Sequence, residues 1–227
     1  DPDYRGRKGP LPITDSDWRH PLSDAFIASA RAAGVPANPD SNGARQDGAG
    51  YHQRWIRKGW RISSARAFLS PAMGRKNLVV LTDARVVKVL LDGRRAVGVS
   101  ITAGPGQVAA NMKARQEVVL ASGAIHSAQL LMLSGIGDPE ALRAHAIDVE
   151  HPLPGVGASL QDHYLVSTTC RTRGVTTLNQ STRGWRAGLE WIRWLANRPS
   201  TLAIGPVVAY AFCRGRPDAD RPDLQFH

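Results

Sequence analysis

No apolar run of about eighteen residues occurs anywhere in the 227-residue chain, so no helix is expected to span a bilayer. Cysteine is nearly absent. Cys170 and Cys213 stand alone, without a CxxC pair or a histidine at ligand spacing, which excludes a zinc ribbon and a thiol redox motif. Two reduced, packed thiols in a reducing compartment are expected, and with them a cytoplasmic rather than a secreted location. The start lacks the charged, apolar and small-residue order of a signal peptide. No GxGxxG follows an opening apolar strand, and there is no internal repeat or low-complexity tract.

Acidic residues are also scarce. Nineteen Asp and Glu face 29 Lys and Arg, a formal charge of +10, and only five of the bases are lysine. Such a balance invites a nucleic-acid or membrane-surface partner. The bases are scattered singly, however, and the densest groups, Arg5 to Lys8 and Arg54 to Arg61, are broken by Gly and Trp. Without a regular stripe of bases and aromatics, nucleic acid is not an expected partner.

Hydrophobic residues make up 42% of the chain, enough for one large or two small globular domains. Leu22 to Ala33 carries apolar residues at helical spacing between Pro21 and Gly34 and reads as an amphipathic surface helix. Val35 to Gly50 is rich in Pro, Asn, Asp and Gly, too broken for regular structure and long enough for a functional loop. Strands are expected at Leu78–Leu81, Val86–Leu91 and Ala96–Thr102, the last two joined through a hairpin turn at Asp92-Gly93. From about Tyr164 the pattern changes. Val166–Arg173 alternates, Arg186–Leu195 reads as a Trp-bearing helix, and Val207–Phe212 is strand-like, which suggests an antiparallel sheet with that helix packed on it.

The most informative stretch is Glu117 to Gly137. An apolar run, Val118-Val119-Leu120, breaks into Ala121-Ser122-Gly123-Ala124 and then into a helix that runs from His126 to Leu133. A buried strand that feeds small residues and then a helix start brings backbone N–H groups close to a ligand. Ligands of open α/β sheets also bind beyond the carboxyl ends of strands. Ala121, Ser122 and Gly123 are therefore the candidate cofactor contacts. The alternative is a tight turn whose glycine serves packing alone.

The segment GAIHSAQLLMLSGIG, followed by Gly155 to His163 (GVGASLQDH), resembles the second signature of the glucose-methanol-choline (GMC) family of FAD-dependent oxidoreductases. Gly59 to Leu69, Asn77 to Thr82, Arg95 to Val99 and Pro222 to His227 (PDLQFH) resemble further segments of that family, in order along almost the whole chain. The resemblance implies an α/β plus α+β fold. Part of a Rossmann-like FAD-binding domain, residues 1–163 with a lid at 35–50, would precede part of an antiparallel-sheet substrate domain, residues 164–227. Because the family's opening GxGxxG and its closing catalytic histidine are not found here, the chain is expected to be a central portion, inactive by itself.

The same resemblance assigns roles. Val86 would offer its backbone amide and carbonyl to the adenine of FAD, the alternative being an ordinary buried strand valine. His227 would line the substrate pocket and hold the alcohol oxygen, or be a strand histidine on a polar face. His126 sits at a helix start, where the dipole disfavours its charged form, and is read as structural. His163 is considered near the flavin, with Asp162 orienting its loop. No catalytic residue and no metal ligand is assigned within the chain. Choline-oxidising relatives carry a glutamate shortly after LQDH, where this chain has Leu165, and the next acid is Glu190. A permanent cation needs such a carboxylate in an apolar pocket. The implied reaction is hydride transfer from a neutral primary alcohol to the flavin, with oxygen or a quinone as acceptor. A flavin-dependent cyanohydrin cleavage on the same fold and a non-enzymatic basic binding module are the alternatives.

Overall fold

The computed structural model describes residues 3–102, 104 and 110–227. In chain order, helix α1 is Pro21–Ala32, followed by short strands β1 (Gly48–Tyr51), β2 (Ile56–Arg57) and β3 (Trp60–Arg61). A π-helical turn, Ala65–Leu69, runs into the single helical turn α2 (Ser70–Ala72). Strands β4 (Arg85–Asp92), β5 (Arg95–Thr102) and β6 (Ala110–Lys113) precede helix α3 (Gly123–Leu133), strand β7 (Ile136–Gly137), helix α4 (Pro139–Ala144) and strand β8 (His151–Pro152). Helices α5 (Leu178–Ser181) and α6 (Gly184–Leu195), a 3₁₀ turn at Thr201–Ala203, and strands β9 (Ala209–Cys213) and β10 (Leu224–Phe226) complete the order.

The chain divides into two compact units, one of residues 1–78 with 169–227 and one of residues 79–168. The first is held by the antiparallel sheet β1-β9-β10, whose register runs Ala49 to Ala211 and Gln225 to Phe212. Pairing of β1 with β9 joins residues far apart in sequence, which is why the opening segment belongs with the closing one. Helix α1 packs on β1 and β9, so the helix on this sheet is not the expected Trp-bearing α6. Its start is capped by the His20 ring, which accepts from the Leu22 N–H at 3.2 Å, with Pro21 in the first turn. Ala49, Tyr210 and Ala211 form the buried centre.

Part of the expected loop 35–50 is strand, since Gly48 to Gly50 lie in β1. The rest is tied down. Asn38 donates from Nδ2 to the carbonyls of Arg45 and Asp47, at 2.8 and 3.1 Å, and its own carbonyl accepts from the Tyr210 hydroxyl at 2.7 Å.

The second unit contains the antiparallel sheet β4-β5-β6. Its hairpin forms where expected, but Asp92 pairs with Arg95, so the turn is centred on Gly93-Arg94. Only Gly93 takes positive φ (+56°), the pattern of a turn with glycine at its first central position. Ser134, fully buried, fastens α3 to the edge of this sheet. Its Oγ donates to the Leu130 carbonyl at 2.6 Å and accepts the outward Val89 N–H of β4 at 2.8 Å. Helix α4 is capped by Asp138, which accepts from the N–H groups of Glu140 and Ala141. The parallel pair β7–β8 replaces the expected strand at 148–151.

Three expected strands are not formed among the described residues. Leu78–Leu81, Glu117–Leu120 and Val166–Arg173 are extended or irregular without ladder partners, and Val119 is exposed rather than buried. An apolar run becomes a strand only when a neighbour supplies the other half of its hydrogen bonds.

Candidate functional site

In the second unit the bend at Ala121, Ser122 and Gly123 is open. Gly123 has φ +85°, a conformation that favours glycine, and a Cβ built there would meet nothing within 4 Å. Packing therefore does not explain this glycine. Helix α3 starts at Gly123, three residues before the expected His126, and no side chain caps it. The Ser122 N–H donates instead to Ser127 Oγ at 3.1 Å, which pulls the bend back over the first turn. The uncapped N–H groups face an exposed surface and carry the positive end of the helix dipole, the arrangement that receives an anionic group.

Along α3 runs a groove of about 620 Å³, lined by Ala124, Ala128 and Met132 of the helix and by Gly157 and Ala158 of the following turn. Small side chains keep it open. Gly157 (φ +76°) is pressed on Met132, whose Sδ would lie 2.9 Å from any Cβ at that position. The two glycine turns singled out in the sequence thus flank one helix face. An uncapped helix start beside a small-residue groove fits a dinucleotide with its pyrophosphate at the bend.

Val86 lies on β4, opposite Ile101, at a register shift between Val86 and Lys88. It is partly exposed rather than an ordinary buried strand valine. Ser134 holds α3 to β4 three residues further on, so Val86 and the bend belong to one fastened piece. His126 and His163 are both exposed, and the carboxylate of Asp162 accepts the His163 N–H at 2.7 Å. Leu165 is exposed as well.

In the first unit His227 follows β10 and is exposed. Its ring lies 5.9 Å from that of His52, which in turn stands 4.6 Å from the ring of Tyr210. The sheet register brings them together, because the His52 N–H continues the β1–β9 ladder to the Val208 carbonyl at 2.9 Å. Nε2 of His52 is buried and has no hydrogen-bond partner among the described residues. Burial, and then the charge of His227, hold the His52 pKa below the ordinary imidazole value. Sequence reasoning missed His52, since no local motif marks it and only the pairing of β1 with β9 places it.

Glu190, the acid nearest in sequence after Leu165, is buried on α6 and fully engaged. Oε2 accepts from the Ser200 hydroxyl and from the Thr201 amide and hydroxyl at 2.7 to 3.1 Å, and Oε1 accepts from Arg193 at 2.6 Å. Burial pushes its pKa up, but these donors outweigh burial and the net shift is downward. It is a structural anion, not a free carboxylate for a cationic substrate. No group of three or more His, Cys, Asp or Glu side chains that could hold a metal occurs among the described residues.

Comparison with known proteins now decides the family. A family model described as GMC oxidoreductase matches residues 3–165. The chain belongs to the GMC oxidoreductase family. It is 36% identical over 225 residues to an alcohol dehydrogenase (acceptor) of Pseudomonas putida, covering 99% of this chain and 41% of that protein. To the mitochondrial choline dehydrogenase of Homo sapiens it is 39% identical over 227 residues, covering 99% of this chain and 37% of the relative. The chain therefore spans about two fifths of the length of these curated relatives.

An FAD-dependent oxidoreductase from Chaetomium thermophilum shares the fold with TM-score 0.82 at 24% identity, over 93% of this chain and 38% of that one. Pyridoxine 4-oxidase from Mesorbium loti aligns with TM-score 0.62 at 34% identity, over 66% of this chain and 29% of that one. FAD is the cofactor of the GMC family. The open bend and the groove along α3 are the features of this chain that suit it.

Proposed function

We propose that this chain is the central portion of an FAD-dependent oxidoreductase acting on the CH–OH group of a neutral primary alcohol. The observation that carries the proposal is the open, uncapped start of α3 at Ser122-Gly123, where small residues leave backbone N–H groups free. Ala121, Ser122 and Gly123 would receive the dinucleotide, and Val86 would pair with the adenine through its backbone. Residues 1–163 would serve the cofactor, with a lid at 35–50, and residues 164–227 the substrate.

The chemistry FAD supplies when bound is acceptance of a hydride from the carbinol carbon. His227 would hold the alcohol oxygen and stabilise the alkoxide that develops as the hydroxyl proton leaves. No residue of this chain is assigned as the base that takes that proton. Since the chain covers only 37–41% of its relatives' length, turnover is expected of the protein expressed from its complete coding sequence and not of these 227 residues alone. Oxygen or a quinone would receive the electrons. Leu165, together with the full engagement of Glu190, argues for an uncharged alcohol with an apolar tail rather than a quaternary cation. Two unbridged cysteines accord with a cytoplasmic location.

Denaturing the purified protein should release flavin, and a straight-chain primary alcohol should bleach the bound flavin under anaerobic conditions. Flavin that is released but never bleached by any alcohol would remove the oxidoreductase reading and leave cyanohydrin cleavage to be assayed.

A further inference from the structure

Helix α6 is turned the wrong way round for a surface helix. At the α-helical spacing of 3.6 residues per turn, Trp185, Leu189, Trp191, Ile192 and Leu195 fall on one side and Glu190 on the other. The buried side is the one that carries Glu190. The apolar side is exposed, with Trp185 and Leu195 each 73% and Ile192 63% accessible. Arginines frame it, for Arg183, Arg186, Arg193 and Arg198 are all exposed, Arg193 also pairing with Glu190.

A second basic segment lies against the same helix. Nε1 of Trp194 donates to the Gly59 carbonyl at 2.9 Å, and its ring meets Trp60 at 4.8 Å and Trp191 at 5.7 Å, both edge to face. This docks the β2–β3 hairpin beside α6 and adds exposed Arg57, Lys58, Arg61 and Arg66, with the Arg66 guanidinium 5.3 Å over the Trp60 ring. Residues 54–66 hold no acid, and the only one in residues 183–198 is the buried Glu190. Asp17 is committed to Arg54. Bases and aromatics that look scattered along the chain thus form one surface.

We propose that this face is a membrane-surface site that lies in the interface of an anionic lipid bilayer. An interfacial helix buries an apolar face containing Trp and Leu and presents bases at its margins to anionic headgroups. A second copy of the chain would set eight bases against eight with no exposed acid on these segments to offset them. Single-stranded nucleic acid would call for aromatic platforms between the bases, whereas Leu189, Ile192 and Leu195 are aliphatic. The fold holds the helix in place through Glu190, Ser200 and Trp194, so its outer side need not pack on protein to stay helical.

The test is flotation of the protein, expressed from its complete coding sequence, with phosphatidylcholine vesicles with and without phosphatidylglycerol. Binding should appear with the anionic lipid and weaken with salt. One base near an anionic surface is worth about fivefold in partition, so the double variant Lys58→Glu/Arg186→Glu should lose at least about twenty-fivefold. Trp185→Ser/Ile192→Ser should lose the part of the binding that survives high salt. Neither pair touches the Glu190 or Trp194 contacts. Should either variant fold poorly, quenching of the wild-type tryptophans by brominated lipid gives an independent reading, expected only with vesicles that contain phosphatidylglycerol. Indifference to anionic vesicles overturns the proposal. So does a solution dimer that shields Trp185, or salt-sensitive binding to DNA or RNA in place of vesicles.

Discussion

The rings of His52 and His227 lie 5.9 Å apart, tilted by 32°, with the first buried against Tyr210 and the second exposed. Burial and a neighbouring imidazole both penalise a proton on His52, so the folded protein favours its neutral form. In the pH window between the depressed folded pKa and about 6.5, the ordinary value, the unfolded chain binds more protons than the folded one. Stability is then complete above that ordinary value and is lost as pH falls through the window. Urea midpoints measured at several pH values should show the decline, and His52→Phe should flatten it. Equal slopes for wild type and variant would mean that His52 is not the group responsible.

Removing the exposed member of the pair bears on chemistry rather than stability. If His227 steadies the developing alkoxide, His227→Ala in the complete protein should keep its flavin and lower kcat by about a hundredfold, the cost of losing one such donor. Unchanged alcohol turnover would take His227 out of the mechanism.

Much of this arrangement was legible in the sequence, and the failures share one cause. Helices α1 and α4 announce themselves through Pro21 and Pro139 in their first turns, and the β4–β5 hairpin through its β-branched alternation around Gly93, because those signals act between residues close in sequence. Strand β1 escaped notice. Its Gly-Ala-Gly-Tyr has no β-branched residue and becomes a strand only because β9, more than 150 residues later, pairs with it. The same pairing places His52, which no motif marked. Conversely, Val118-Val119-Leu120 has strand chemistry but no partner among the described residues. At the cofactor bend the small residues were readable, whereas the missing side-chain cap on α3 is a fact of geometry alone.

Glu190 makes a sharper stability test than any apolar core residue of its unit. Its carboxylate collects the Ser200 hydroxyl, the Thr201 amide and hydroxyl, and the Arg193 guanidinium, while Ser200 is itself wholly buried. Glu190→Ala would strand these donors at a cost on the order of 2–3 kcal/mol. Since its folded pKa is lowered, the contribution is present above the unfolded carboxylate value and is lost as pH falls through the folded one. Denaturant melts at neutral and acid pH should therefore converge for wild type and variant as the pH drops.

Two glycines with nearly the same backbone separate a ligand role from a packing role. Gly123 and Gly135 have φ +85° and +82°, so alanine at either pays about 1–2 kcal/mol for a left-handed conformation. At Gly135 a Cβ would also meet the Asp148 carbonyl oxygen at 2.5 Å and Glu150 Cγ at 2.6 Å, while at Gly123 it meets nothing. Gly135→Ala should thus be the more destabilising variant, by about 1–3 kcal/mol beyond the backbone cost, because overpacking adds to it. Gly123→Ala should melt only slightly below wild type yet copurify with much less FAD, since the new methyl group points into the space where the dinucleotide would approach. Full flavin content in that variant would show that the bend at Ser122-Gly123 does not face the cofactor, whatever the melting curve reports.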